Sequence, residues 1–334
     1  MIRGKVLAVY KDALILSKGY HVYQYICEQN GHQTIRKFAT IRGWKEHLFS
    51  LNGAIRRLSR LEITGFFEVL AGPRHIIAKK GIYKLTDEGL LREPVRYRGS
   101  KPLNFCISPN GHMFFGEYFQ NVGKESVHVY GSLDGGDTWK RLYTFEKENI
   151  NHIHGLFFDK YTNRIWVATG DRENECIIGY TENEFKTFVE VFRGGQKYRT
   201  CQLFFYKDFI IYSTDTQYQQ NVIKKFDRQT LEITELQKVQ GSVIKGGQVG
   251  NVAFISTTVE PSDVNTDKWA HLWVTKDGIH WEEKYKAKKD WLPSIFQFGT
   301  FEFPQYYGIE KLERLYFSGR ALKGHDCKTT YIEI

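Results

Sequence analysis

"VHVYGSLDGGDTWKRLYTF", residues 127 to 145, decides the fold. Two apolar, β-branched and aromatic runs flank a turn built from Asp and Gly, which reads as strand, tight turn, strand. The same frame returns downstream as "CIIGYTENEFKTFVEVF", "NVIKKFDRQTLEITEL" and "HLWVTKDGIHWEEKY", and upstream in weaker form as "GIYKLTDEGLLREPV". With Asp87, Asp134, Asn183, Asp227 and Asp277 as equivalent turn positions, the intervals run from 44 to 50 residues. That period matches the blade length of propellers.

Each frame is preceded by a hairpin of the same kind: "NFCISPNGHMFFGEY", "GLFFDKYTNRIWVATGD", "CQLFFYKDFIIYSTD", "VIKGGQVGNVAFISTTVE" and, less regularly, "FQFGTFEFPQYYGIEKLERLYFSGR". Two more, "KVLAVYKDALILSKG" and "FFEVLAGPRHIIAKKG", stand near the N-terminus. Strands that are apolar almost without interruption are buried on both faces. The expectation is an all-β propeller of about seven four-stranded blades, with six also compatible. Residues 42–62 have helical rather than alternating spacing and read as an insertion between the first two blades. The last repeat ends in "TTYIEI", a third strand, so the sequence does not show how the ring closes.

Composition agrees: 24 Phe, 20 Tyr and 30 Gly stand against 7 Pro, and no linker or low-complexity tract divides the chain. The 334 residues are read as one domain, since β-propellers of this length are ordinary. The formal net charge of +9 favours acidic partners. None of the nucleic-acid-binding motifs is present, and no nucleic acid is expected as a partner. The 5 Cys are odd in number, widely spaced and without CxxC pairs, which fits reduced, buried thiols. Charges at Lys11 and Asp12 interrupt the N-terminal apolar run and no stretch of about 18 apolar residues exists, so no membrane span and a cytoplasmic location are expected.

The turn Ser132-Leu-Asp134-Gly-Gly-Asp-Thr138-Trp139 matches the Asp-box, Ser-x-Asp-x-Gly-x-Thr-Trp, or bacterial neuraminidase repeat, and Thr275-Lys-Asp277-Gly-Ile-His-Trp281 is a shortened copy. On these residues the chain resembles the sialidase-like propeller superfamily. The "HIHG…TGD" pattern is similar, more loosely, to uncharacterised propeller proteins of microbial glycan loci. The resemblance implies that Asp134 and Asp277 are structural and lie on the face away from any active site. The Arg-Ile-Pro segment of sialidases is absent, since none of the 7 prolines follows Arg-Ile.

In an antiparallel blade the start of the first strand and the end of the second lie at one edge. Second-strand ends place Glu117, Tyr118, Asp171, Arg172, Asp215, Glu260 and Arg320 there. First-strand starts add Lys101, Asn104, His152, His154, Gln196, Tyr198, Arg199 and Gln202. The rim therefore gathers carboxylates, imidazoles, guanidinium groups and phenols near one channel mouth.

Three functions fit such a rim. A glycoside hydrolase needs two carboxyl groups about 5 to 9 Å apart, one of them protonated, and Glu117, Asp171, Asp215 and Glu260 are candidates. Arg199, Arg172 and Arg320 are suited to hold a sugar carboxylate or sulfate, with Gln196 and Tyr198 beside them. A polysaccharide lyase would use Arg199 to neutralise a uronate and His152, His154 or Tyr118 to move protons. A glycan- or protein-binding scaffold without chemistry is the third. The expected partner is an acidic oligosaccharide or polysaccharide. One His-x-His pair with one carboxylate is a weak metal signal, so no metal and no cofactor is assigned. The sequence is silent on oligomeric state.

Overall fold

A computed structural model describes the chain except residues 28–32, 42, 44–47, 51, 70–71, 80 and 87–88. The turn at Asp87 thus lies outside the described residues, as does part of the expected 42–62 insertion. Among the described residues the strands form seven antiparallel blades around a central channel, a seven-bladed β-propeller. Five of the blades, the second to the sixth, consist of four strands that run outward in chain order. The fourth, for example, is His152–Asp159, Arg164–Gly170, Ile177–Thr181 and Val189–Arg193.

The sequence patterns map onto depth. Val127–Ser132, a third strand, is buried at every position, whereas Trp281–Lys288, an outermost strand, alternates exposed residues with half-buried ones and, at Ala287, a buried one. Apolar side chains of adjacent blades interdigitate. Cys106, Phe114, Val127 and Val129 of the third blade pack against Ile153, Leu156, Val167 and Ile177 of the fourth.

The seventh blade explains the irregular last repeat. Its strands in order are Thr300–Glu302, Arg314–Arg320, Lys328–Glu333 and, from the other end of the chain, Ile2–Arg3. Ile2 pairs with Thr329 and Arg3 with Lys328, so the ring closes by an N-terminal strand completing a C-terminal blade. The intervening segment Gln305–Tyr306 pairs parallel with Lys5–Val9 of the first blade, which is why the hairpin there has no regular spacing.

Within the insertion, Gly53–Ser59 is helical, capped by Asn52 Oδ1 accepting from Ile55 N–H at 3.0 Å. Two arginines of this helix are buried. Arg57 pairs with Asp290 and donates to the Phe296 carbonyl at 2.7 Å, and Arg56 donates to Asp326 at 2.7 Å. The helix is thereby fastened to the segment that joins the sixth and seventh blades and, through Asp326, to a loop of the seventh blade. Among the described residues no helix is long and apolar enough to cross a membrane.

Candidate functional site at the channel mouth

The register of the fourth blade shifts between Ile153 and Gly155, making His154 the extra residue of a bulge. Bulges bend a strand and re-aim a side chain. Here the bend brings the two imidazoles together, with His152 Nε2 and His154 Nε2 3.1 Å apart. His154 Nδ1 donates to the Thr200 carbonyl at 3.0 Å, and His152 Nδ1 to the Phe119 carbonyl at 3.1 Å. A carbonyl only accepts, so both Nδ1 atoms carry the proton and both Nε2 lone pairs face inward.

Asp171 follows the paired second strand and closes the group. Its Oδ1 lies 3.2 Å from His154 Nε2 and its Oδ2 3.4 Å from His152 Nε2. Gln196 Nε2 fixes its backbone by donating to the Asp171 carbonyl at 2.8 Å, and Asn151 Nδ2 donates to Oδ2 at 3.3 Å. Asn151 Nδ2 also lies 3.2 Å from His152 Nδ1, but a carboxylate is the stronger acceptor for it. Burial opposes ionisation of Asp171, and it is outweighed when the imidazoles of His152 and His154 also carry a proton on Nε2, whose bonds and charge then draw the carboxyl well below its ordinary range.

A second layer surrounds Arg199. Its Nη2 lies 2.9 Å from Asp171 Oδ1 and its Nε 3.8 Å from Asp215 Oδ2. Burial and the Asp215 carboxylate push the Cys201 thiol well up, so the thiol donates to Asp215, at 3.3 Å. Burial, then the charge of Asp215, push the Glu260 carboxyl above its ordinary value, with Arg199 opposing. The Tyr118 ring sits 4.3 Å from that of His152. These groups open into a cavity of about 850 Å³ whose walls include Tyr118, His154, Asp171, Arg199, Asp215 and Glu260. Arg172 and Gln196 also border it, Gln196 almost wholly buried and accepting from Thr216 Oγ1 at 2.8 Å.

Several expected rim residues do not line this cavity: His152 reaches it only through His154 and Asp171, Lys101 is half-buried elsewhere, and Asn104 and Gln202 donate to the Leu156 and Ile244 carbonyls at 2.8 and 2.9 Å. Glu117, Tyr198 and Arg320 also stand apart. Glu117 is buried and engaged by Arg98 and Tyr130; it accepts from Arg98 N–H at 3.0 Å and His128 N–H at 3.1 Å. Tyr198 stacks on Phe192 at 5.0 Å in an interblade core. Arg320 turns instead to Glu302 on the neighbouring strand of its own blade, at 3.2 Å, and to Glu62 at 3.7 Å. Asn151 and Cys201 join the site without having been expected. Asn151 adjoins the His-x-His pair, and Cys201 is two residues from Arg199, but nothing in either residue type distinguishes a site from a core.

The turns at Asp134 and Asp277 join third to fourth strands, at the opposite edge of their blades. Asp134 accepts from Ser132 Oγ at 2.8 Å, Thr138 N–H at 2.9 Å and Thr138 Oγ1 at 2.5 Å. Asp277 accepts from Thr275 Oγ1 at 3.0 Å and His280 N–H at 2.9 Å. Asn183 repeats the pattern, accepting from Thr181 Oγ1 at 3.1 Å and Thr187 N–H at 2.9 Å.

No protein-family model matches the chain, and no curated protein matches it. Solved structures share its fold at low identity. The streptogramin B lyase structure is 13% identical with a TM-score of 0.56, over 99% of this chain and 94% of that one. The GH74 xyloglucanase from Xanthomonas campestris is 14% identical with a TM-score of 0.57, over 85% of this chain and 46% of that one. The WD40 propeller domain of Doa1 is 11% identical with a TM-score of 0.55, over 96% and 91%. At such identities the likeness is one of fold alone.

Proposed function

We propose that the chain is a glycan-processing enzyme that hydrolyses an acidic oligosaccharide or polysaccharide in the channel-mouth cavity. The observation that carries this reading is the pairing of unlike carboxyls around one guanidinium. Glu260 sits where its protonated form is favoured, while Asp215 lies against Arg199. A carboxyl whose protonated form is favoured, beside a second carboxylate held by a guanidinium, suits a general acid and its partner. In this reading Glu260 protonates the departing glycosidic oxygen, Asp215 serves as the ionised partner, and Arg199 and Arg172 face the sugar carboxylate or sulfate. Tyr118 offers an aromatic face beside them. The cavity volume of about 850 Å³ lies within the range of small-molecule sites.

The resemblance of the Asp134 and Asp277 turns to the Asp-box of sialidase-like propellers supports placing the chemistry at the edge far from those turns. The GH74 xyloglucanase and streptogramin B lyase neighbours show that similar propellers host both hydrolase and lyase chemistry. A uronate lyase is the second reading, and one observation favours it. Tyr118 and Arg199 line the same cavity and Arg199's charge reaches the phenol, the pair of groups that proton abstraction next to a neutralised carboxylate needs.

The deciding experiment incubates the protein with a panel of acidic and neutral oligosaccharides and follows both reducing ends and the ultraviolet absorbance of unsaturated uronates. Reducing ends without absorbance, lost in Glu260→Gln, support hydrolysis. Absorbance lost in Tyr118→Phe supports elimination. Neither product from any glycan, with Glu260→Gln indistinguishable from wild type, overturns both and leaves a binding scaffold.

A further inference from the structure

The group His152, His154 and Asp171 has a shape that proton chemistry does not require. Three ligand atoms, two imidazole nitrogens and a carboxylate oxygen, converge from one bulged strand and the loop after its neighbour. The nitrogens are 3.1 Å apart, and each faces its own oxygen of the carboxylate, His154 Nε2 at 3.2 Å from Oδ1 and His152 Nε2 at 3.4 Å from Oδ2. Ligands at ~2.0–2.1 Å from a tetrahedral zinc ion are spaced by about 3.3 Å along each edge. The observed separations straddle that edge length.

The orientation of the rings is a second, independent observation. Each imidazole uses Nδ1 to donate to a backbone carbonyl, Phe119 in one case and Thr200 in the other. This outer bond fixes the tautomer and turns the Nε2 lone pair to the centre, the arrangement that metal-binding histidines need. Without a cation or an added proton at the centre, two lone pairs and a carboxylate oppose one another in a site where both histidines are almost fully buried. Arg199 relieves this only at Asp171 Oδ1, from outside the group.

We infer that His152 Nε2, His154 Nε2 and Asp171 bind a zinc ion, with the remaining coordination position directed at the cavity. His154 and Asp171 both line that cavity, so the open position is reachable by water or by an oxygen of a bound ligand. Three protein ligands with one position free is the stoichiometry of a reactive rather than a structural zinc site. The assignment stands on ligand geometry, not on which glycan is processed.

The test measures metal directly. Protein stripped with a chelator and exchanged into metal-free buffer is titrated with Zn²⁺ against a chromophoric competitor. Cobalt(II) is then substituted to read coordination from its visible absorption. One equivalent of zinc is expected, with a tetrahedral cobalt spectrum. His152→Ala, His154→Ala and Asp171→Asn should each weaken zinc binding by about 100-fold or more, since loss of outer-shell partners alone weakens metal sites 10–100-fold. Asp134→Asn, on the far face, should leave it unchanged. Wild-type protein that binds no zinc equivalent, or binds it as tightly when both histidines are replaced, overturns the inference and assigns the pair to a shared proton. The wild-type titration needs no variant to fold and no substrate to turn over. Its failure therefore leaves the glycan reading standing, and inactivity on glycans leaves the metal site standing.

Discussion

Arg199 lies 2.9 Å from Asp171 and 3.8 Å from Asp215, so one guanidinium is shared by two carboxylates from neighbouring blades. Removing a shared cation leaves both carboxylates without their common counterion, which is the costly way to break a partly buried pair. Asp171 remains a third exposed, and solvent screens part of the loss. Arg199→Ala is therefore expected to lower stability by about 1–2 kcal/mol in urea denaturation. Arg199→Lys, which restores the charge but not the planar fork, should recover part of that. An alanine variant as stable as wild type would show that the pair contributes nothing.

Glu260 gives a prediction with a sign. Burial first, then the carboxylate of Asp215 and, more weakly, that of Asp171, raise its folded-state value above that of the unfolded chain against the opposing charge of Arg199. Its contribution to stability is thus complete in acid, below the unfolded value, and is lost as pH rises through the raised folded value. Glu260→Gln, which cannot ionise, should be more stable than wild type at pH 8 and lose that advantage at pH 4. If activity depends on the protonated form, the alkaline limb of the rate profile disappears in the variant together with about 10²–10⁴-fold of rate. Denaturation at the two pH values checks the first half; a glutamine variant less stable at pH 8 would contradict it.

What the sequence disclosed and what it hid have separate physical causes. The propeller fold, the strand order within regular blades and the common edge of His152, His154 and Asp171 follow from period and antiparallel geometry, which are local, whereas the choice between six and seven blades depends on how the ring closes. Placing a residue at an edge does not say which way its side chain turns. Glu117 and Tyr118 are adjacent, yet one is sequestered by Arg98 while the other lines the cavity. The bulge at His154 has no signature in the run of apolar residues around it. The same rule places Arg320 on the rim, but Glu302 beside it in its own blade and Glu62, far away in sequence, hold its side chain elsewhere. Pairing between Ile2 and Thr329 joins segments at opposite ends of the chain, which no local pattern can register.

The three box-like turns supply their own control. Asn183 already makes in the fourth blade the bonds that Asp134 makes in the third. Glu184 and Phe185 hold positive φ of 55° and 70° where Gly135 and Gly136 have 68° and 96°. Asp134→Asn should therefore cost well under 1 kcal/mol at neutral pH, whereas Asp134→Ala, which strips the acceptor from the Thr138 amide, should cost about 1–2 kcal/mol. Gly136→Ala is expected to be worse than Phe185 would suggest. A Cβ there would come within 2.6 Å of His75 Nε2 and 2.9 Å of Glu93 Oε1. Thermal melts of the three variants rank them directly; an asparagine variant as damaged as alanine would mean that charge, not geometry, holds the turn. Charge does act in acid, since the bonds from Thr138 hold the Asp134 carboxyl down at about 2. Its contribution should fade as pH falls from about 4 toward 2, and the asparagine variant should lack that dependence.

Ring closure concentrates on one hydroxyl. Thr329 Oγ1 donates to the Gly4 carbonyl at 2.8 Å and accepts from Val6 N–H at 3.0 Å, so it ties the closing strand and the first blade to the seventh. Ser318 Oγ shares the same amide at 2.9 Å and lies 2.9 Å from Thr329 Oγ1. Both hydroxyl-bearing residues are buried, where an amide or carbonyl left unpaired costs about 1–3 kcal/mol. Thr329→Val keeps the shape, removes the hydroxyl and is expected to destabilise by that amount. Thr329→Ser keeps the hydroxyl and should lose less. Ser318→Ala alone should be milder than Thr329→Val, because Thr329 still serves the Val6 amide. The double variant should lose more than the sum of the two, by about 0.5 kcal/mol or more, since only then is the amide stranded. Additive losses in the urea-denaturation cycle would show that the two hydroxyls act separately and that the closing strand is held by its backbone pairing alone.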